Sequence, residues 1–309
     1  MYYPYFRGKQ FELISIRENA PLMAASNFAP IVEPVREALS GLDRAIKAVC
    51  EAKGKAIVIV NPYHGDHREN GAGITEFVRG YIDNPSIGAG ILLRQDMGIA
   101  EAMQLCERHH QHQLNFIHAG FTHGKELAHE LGETLTARHI FNENFCPKTY
   151  RKHFSGSERI LLRDGFKRRR NRDYPPVELF SDLNVTFQDE GMNAFGDFSI
   201  VGDDYSESGG PAYAVAIHLT FIDPDQDDAM FIYHFVSTSQ DTPTDPAGKF
   251  AEALDKLIDK LNSGTSNLYE TNALQELRSL HSKGHFPGLG YLKKISLNHH
   301  IETVAKFFS

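Results

Sequence analysis

Cysteine is scarce in this chain. Cys50, Cys106 and Cys146 lie far apart and form no CxxC pair. An odd, scattered set argues against a disulfide framework and against a thiolate zinc site. Long hydrophobic runs are also missing: no stretch approaches the ~20 apolar residues that cross a bilayer. The opening Met1-Tyr2-Tyr3-Pro4-Tyr5-Phe6-Arg7-Gly8-Lys9 lacks the continuous apolar core of a signal peptide. The expectation is a cytoplasmic protein with no membrane partner. The local signatures of the large enzyme classes are absent too, with no Walker A loop, GxGxxG after the first strand, GxSxG elbow, HExxH or kinase set. Nor is there an excess of positive charge. The net charge is −8 with histidine neutral, which repels nucleic acid and anionic lipid over the surface as a whole.

What is present is ordinary globular material, 41% hydrophobic and 23% charged, in a chain of 309 residues, enough for one large domain or two modest ones. Short apolar runs alternate with amphipathic stretches. Candidate strands are Tyr2 to Phe6, Phe28 to Glu33, Ala56 to Val60, Ile91 to Leu93, Leu114 to Ile117, Arg138 to Phe141 and Arg159 to Leu162. Helical stretches fall between them, as in Lys9 to Asn19, Ala38 to Val49, Ile99 to Arg108 and Lys125 to Leu131. Seven strands in about 160 residues suit a TIM-like (β/α) barrel, with a doubly wound open sheet as the rival. The pattern then changes to long β runs, Phe195 to Val201, Ala212 to Ile222 and Ala229 to Val236, the last two forming an antiparallel hairpin around Asp223 to Asp228. One of the three is available as the eighth barrel strand. Asp245 as N-cap and Pro246 at the first helical position open a helix with Phe250, Leu254, Leu257, Ile258 and Leu261 on one face. Further helices are expected over Asn267 to His281 and Leu292 to Phe308. The α/β fold class is therefore a barrel-like domain over residues 1–240, late hairpin included, with a C-terminal helical segment over 241–309.

Chemistry in a βα barrel sits where strands end on the C-terminal face. The strand ends read Arg7 and Lys9, Glu33, Asn61 with His64, Asp66 and His67, Arg94 and Asp96, His118, Asn142 and Asn144, then Arg163 and Asp164. Charged residues directly after apolar runs, as in Leu92-Leu93-Arg94, single out a candidate pocket, although polar strand ends are common because loops are wet. Arg7, Lys9, Arg94 and Arg163, with Asn61 and His118, are candidate binders of an anionic substrate. Glu33, Asp164 and Asp197 are candidate acids and bases. Asp203 and Asp204 can hold a divalent metal or simply shape a polar turn with Gly202, Gly209 and Gly210. Any further cofactor is unknown from the sequence. His64-Gly65-Asp66-His67 resembles the HxDH half of metallo-β-lactamase-type hydrolases but lacks the preceding HxH half. His109, His110 and His112, and later His299 and His300, read as structural. The local basic run, Lys167, Arg168, Arg169, Arg170 and Arg172, is either a solvated loop neutralised internally by Asp173, Glu178 and other acidic residues, or a nucleic-acid contact.

Three strings carry a family resemblance: Tyr5-Phe6-Arg7-Gly8-Lys9-Gln10-Phe11-Glu12-Leu13, Pro30-Ile31-Val32-Glu33-Pro34, and the block from Phe195 through Tyr205 to His218. With Gly284-His285-Phe286-Pro287-Gly288-Leu289, they make the chain resemble the Beta-protein-like family of uncharacterised bacterial and phage proteins. The resemblance implies a role in phage defence or a mobile-element gene cluster, acting with a nuclease-like partner, and it transfers no catalytic residue. Two functions stand side by side. One is a binding or scaffold protein that contacts nucleic acid or a nuclease-like partner through the basic loop. The other is a barrel enzyme of hydrolase type acting on a phosphorylated or nucleotide-like substrate.

Overall fold

A computed structural model describes residues 1–132, 137–207 and 210–309. Gly209 lies outside these. The elements in chain order are β1 (Tyr5–Phe6), α1 (Gln10–Ala25), β2 (Ile31–Val32), α2 (Ser40–Glu51), β3 (Ala56–Ile59), α3 (Ala72–Arg79), β4 (Ile87–Arg94) and α4 (Ile99–Arg108). Then come β5 (Leu114–Ala119), α5 (Gly124–Leu131), β6 (Arg138–Asn142), α6 (Lys148–Arg151), β7 (Glu158–Leu162), β8 (Val177–Ser181), α7 (Leu183–Thr186) and β9 (Ala194–Gly196). The chain finishes with β10 (Ala216–Asp223), β11 (Ala229–Val236), α8 (Pro246–Asn262), α9 (Asn272–Lys283) and α10 (Leu289–Phe307). Two compact units result: Met1–Arg163 with Thr186–Phe198, and Asp164–Val185 with Ser199–Ser309.

The first unit is a TIM-like barrel. Eight strands pair in parallel in the order β1-β2-β3-β4-β5-β6-β7-β9. Backbone hydrogen bonds from Tyr3 N to Phe195 O and from Tyr5 N to Asp197 O, both 2.9 Å, join the last strand to the first. The eighth strand is thus the short Ala194–Gly196 segment at the start of the expected Phe195 to Val201 run. Its continuation is not a strand, because Ser199 has φ +51° and opens a turn of 3-10 helix. Gly196 allows the closure: a Cβ there would lie 2.0 Å from the Tyr3 carbonyl oxygen and 2.6 Å from Leu162 Cδ2.

Successive residues of a strand point to opposite sides of the sheet. Tyr3, Tyr5, Ala29, Ile31, Ile57, Ile59, Leu92, Ile117, Ile140, Ile160, Leu162 and Ala194 form one buried cluster that draws on all eight strands. That cluster is the barrel interior, and the alternate residues belong to the layer beneath the helices. Both layers are apolar, which is why the strands read as continuous hydrophobic runs.

The second unit is built on a three-stranded antiparallel sheet in the order β10-β11-β8. Ile217, Leu219 and Phe235 share a core with Phe250, Leu254 and Leu257 of α8, Leu274 and Leu277 of α9 and Ile295 of α10. The hairpin therefore groups with the C-terminal helices, and the division between units falls elsewhere than near residue 240. Asp245 caps α8, its side chain accepting from Gly248 N at 2.9 Å, with Pro246 as the first helical residue. His299 bonds Thr271 Oγ1 and the Thr220 carbonyl, while His300 bonds Thr220 Oγ1, so both hold α10 in place. Among the described residues no helix is long and apolar enough to cross a membrane.

Candidate functional site at the barrel mouth

The inward pleat of the barrel carries on past the strand ends into polar residues. Arg7 follows Tyr5, Glu33 follows Ile31, Asn61 follows Ile59, and Arg94 follows Leu92, each two residues further along the same side. Glu33 is the hub. Only 1% exposed, its carboxylate accepts from Tyr5 Oη at 2.9 Å, Tyr63 N at 2.9 Å, His64 N at 3.0 Å and His64 Nδ1 at 3.1 Å. Arg7 Nη1 pairs with it at 3.3 Å, and the Arg7 guanidinium lies over the Tyr5 ring. Burial on its own would raise the Glu33 pKa. The hydrogen bond from His64, the charge of Arg7 and the Tyr5 hydroxyl outweigh it and bring the carboxyl down to about 2. At neutral pH Glu33 is a fixed anion and a weak base.

An ionised carboxylate can only accept, so Nδ1 of His64 carries the hydrogen of this bond. The loop that carries His64 is fastened along its length. Asp66 accepts from Glu37 N at 2.7 Å, His67 Nε2 bonds the Arg36 carbonyl, and Asp66 N donates to Val35 O. Gly65, at φ +77°, is needed where the two loops meet, since a Cβ would lie 2.1 Å from the Val35 oxygen. The His64-Gly65-Asp66-His67 string thus joins one loop to its neighbour. Its side chains bond to Glu33 and to backbone, and among the described residues no three His, Cys, Asp or Glu side chains are grouped to hold a metal.

Beside His64 stands Tyr63, 40% exposed, with the guanidinium groups of Arg68 and Arg94 at 4.9 and 5.4 Å from its ring centre. Arg94 is half-buried and pairs with Asp96 at 3.0 Å. Asn61 is spent on the sheet, its amide donating to Leu92 O and accepting from Leu92 N. Lys9 is half-buried directly before α1.

Other sequence-selected residues lie on the opposite pleat. His118 follows inward-facing Ile117 and so points out of the barrel. Its Nδ1 meets Tyr150 Oη at 2.7 Å and its Nε2 meets His139 Nδ1 at 3.0 Å, within a group of Phe116, Phe141 and Phe154. Burial, then the neighbouring imidazole, keep His118 neutral, and burial holds His139 at about 3. Arg163 likewise points outward, its guanidinium forked onto Glu143, Nη2 to Oε1 at 3.0 Å. Asp197 is on that layer too, accepting from Tyr2 Oη at 2.7 Å. A cavity shared by Arg7, Glu33, Arg94 and Arg163 is therefore not formed: the first three share a side and Arg163 does not.

Asp164, Asp203, Asp204 and the basic run belong to the second unit. Asp164 accepts from Phe166 N and Asp203 N at 2.9 and 2.8 Å, closing a turn through Gly202 at φ +75°. Asp203 is half-buried and Asp204 exposed. In the basic run, Arg169 makes a two-pronged pair with Glu178, and Lys167 reaches the same carboxylate at 3.6 Å. Arg172 approaches Asp173 at 3.8 Å. Arg168 donates to the Asp204 carbonyl, and Arg170 is exposed.

The sequence reading missed the Glu33–His64 pair as a unit and gave no role to Tyr63 or His234, whereas Glu178 and Asp173, expected as internal partners of the basic run, do pair with Lys167, Arg169 and Arg172. For the histidines the turn alone gives no signal: closing the hairpin at Asp223 and Asp228 would set His218 opposite Tyr233, whereas the observed register pairs Asp223 with Ala229 and so His218 with His234. Neither known family models, nor curated proteins, nor solved structures match this chain.

Proposed function

We propose that the barrel unit is an enzyme of hydrolase type acting on a phosphorylated or nucleotide-like small molecule at its C-terminal mouth. The single observation that carries this reading is the buried, ionised Glu33 bonded to His64 Nδ1 at 3.1 Å at the strand ends. A carboxylate that fixes the tautomer of an imidazole leaves Nε2 as proton acceptor for an attacking water, the arrangement general-base catalysis needs. Arg94 and Arg68 are the cations for phosphate oxygens, and Tyr63 offers a ring face to a base or sugar. Arg7 belongs to the support of Glu33 and not to the substrate. The test is phosphate release from a panel of nucleoside mono- and diphosphates, with binding followed by calorimetry. His64→Gln should abolish turnover and retain binding, whereas Arg94→Ser should weaken binding at least about tenfold, the usual cost of a charged hydrogen bond. Binding of none of the panel, or full turnover by His64→Gln, overturns the reading.

The scaffold reading, with the Beta-protein-like resemblance and a nuclease-like partner behind it, rests on a different observation. Arg168 and Arg170 are exposed and pair with no carboxylate among the described residues. Two such cations beside Lys167 and Arg172 suit a phosphate backbone. Replacing Arg168 and Arg170 by Ser should lower oligonucleotide affinity and flatten its salt dependence. Salt-independent binding, or none, overturns this reading.

A further inference from the structure

Beneath the basic loop the second unit holds a chain of three polar groups. Glu178 Oε1 meets His234 Nε2 at 3.2 Å, and His234 Nδ1 meets His218 Nδ1 at 2.7 Å. Only one tautomer set satisfies this chain. Glu178, its pKa lowered against the effect of burial by Arg169 and the neighbouring charges, accepts from His234 Nε2–H. His234 Nδ1 must then accept from His218 Nδ1–H, and the lone pair of His218 is left on Nε2.

The loop is pinned over this chain by its two ends. The Phe166 and Tyr174 rings stand edge-on to His218, with centroids 5.1 and 4.7 Å away, and Tyr174 also stacks on His234 at 4.5 Å. The charged and titratable groups facing the pair are Glu178 from β8 and Lys167, Arg169 and Tyr174 from the loop. Both of those cations already share Glu178. His218 itself is half-buried. Burial, then the facing imidazole, hold His218 at about 3, while His234 stays at about 4 even with Glu178 drawing it upward.

A neutral imidazole beneath a basic loop, with its carboxylate two hydrogen bonds away, can take up a positive charge only against a new anion. We propose that this is a phosphate site for nucleic acid: a strand held by Arg168 and Arg170 sets a phosphate oxygen against His218, which takes one proton from solvent as the strand binds. The class of ligand rests on the nucleic-acid reading of the basic loop, and the barrel site plays no part. The arriving phosphate supplies the charge that makes an imidazolium affordable, and the Nδ1–H to His234 to Glu178 chain spreads it to a fixed anion.

The probe is a fluorescein-labelled 20-nucleotide single strand, titrated into the full chain at constant ionic strength between pH 8 and pH 6. One linked proton allows an increase in affinity of up to about tenfold per pH unit as pH falls. Calorimetry in two buffers of different ionisation enthalpy should show proton uptake at pH 6. His218→Gln, checked for folding by its melting curve, should keep salt-dependent binding and lose the pH dependence. Arg168→Ser with Arg170→Ser should weaken binding at every pH. Salt-dependent binding by the wild type that changes less than twofold over this range, with no proton uptake, overturns the role of His218 and leaves the loop reading standing. Absence of binding at any pH overturns both.

Discussion

In the barrel unit Glu33 joins Arg7 to His64, with Tyr5 beneath the guanidinium. In the second unit Glu178 joins Arg169 to His234, with Tyr174 beside it. The parts are alike and the burial is reversed. Glu33 is sealed in and its imidazole is a quarter exposed, whereas Glu178 is half-buried and its imidazole is 1% exposed. Sealing the carboxylate leaves the histidine a quarter exposed, which the proposed barrel reaction needs. Sealing the histidine leaves its half-buried partner His218 as the ring that the proposed phosphate site uses. Which member is buried decides which member can do chemistry, because burial penalises whichever charged form it encloses.

The widest test of that contrast is removal of each carboxylate. Glu33→Ala leaves Arg7 buried beside two unpartnered loop amides, and should cost about 3–5 kcal/mol in urea unfolding, the range for breaking a buried ion pair. Glu178→Ala removes a half-buried acceptor whose cations can turn to water, and should cost about 1–2 kcal/mol. Equal losses would erase the distinction.

Next in size is the response to acid. His118 and His139 in the barrel unit, and His218, His234 and His299 in the second, are all held neutral by burial, the last two at about 4. Their folded pKa values lie below the unfolded value of about 6.5, so the unfolded chain binds more protons in between. Stability therefore rises with pH across this window and is lost as pH falls below about 6.5, by up to about 1.4 kcal/mol per pH unit for each group. Glu33 acts with the same sign in a lower window: its contribution is complete above about pH 4.5 and disappears only as pH approaches 2. Melting temperatures should thus fall well before Glu33 titrates, and His234→Gln should flatten the slope by about one proton. A melting temperature that is constant from pH 7.5 to pH 5 would contradict the neutral assignment.

The smallest effect sharpens the inward–outward division of the barrel. Arg163 lies on the outer layer in a partly exposed pair with Glu143. Arg163→Ala should cost less than about 1 kcal/mol and leave ligand binding at the mouth unchanged. A loss of binding equal to that of Arg94→Ser would place Arg163 on the wrong side of the sheet.

Much of this was legible from residue order. Alternating apolar runs and amphipathic stretches specify parallel βα units, Asp245-Pro246 marks a helix start, and strand ends mark where polar residues gather, because these depend on near neighbours in the chain. The strand Val177–Ser181 was hidden, since Val177 and Leu179 are exposed and Glu178 interrupts them, so no apolar pattern announces it. The short β9 was misjudged in length because Gly196 and Ser199 obey a contact with Tyr3 and a positive φ that no local pattern encodes.

The sequence by itself determined that Arg7, Glu33, Arg94, His118 and Arg163 stand at the ends of buried strands. Only the tertiary structure decided that Arg7, Glu33 and Arg94 face inward while His118 and Arg163 face outward. When both sides of a strand are apolar, alternation gives two equivalent readings, and the interior is whichever side the closed sheet encloses. The pairing of Glu33 with His64, 31 residues apart, and of Glu178 with His234, 56 apart, was settled the same way. Hydrogen bonds form between groups that folding brings within about 3 Å, at any distance along the chain.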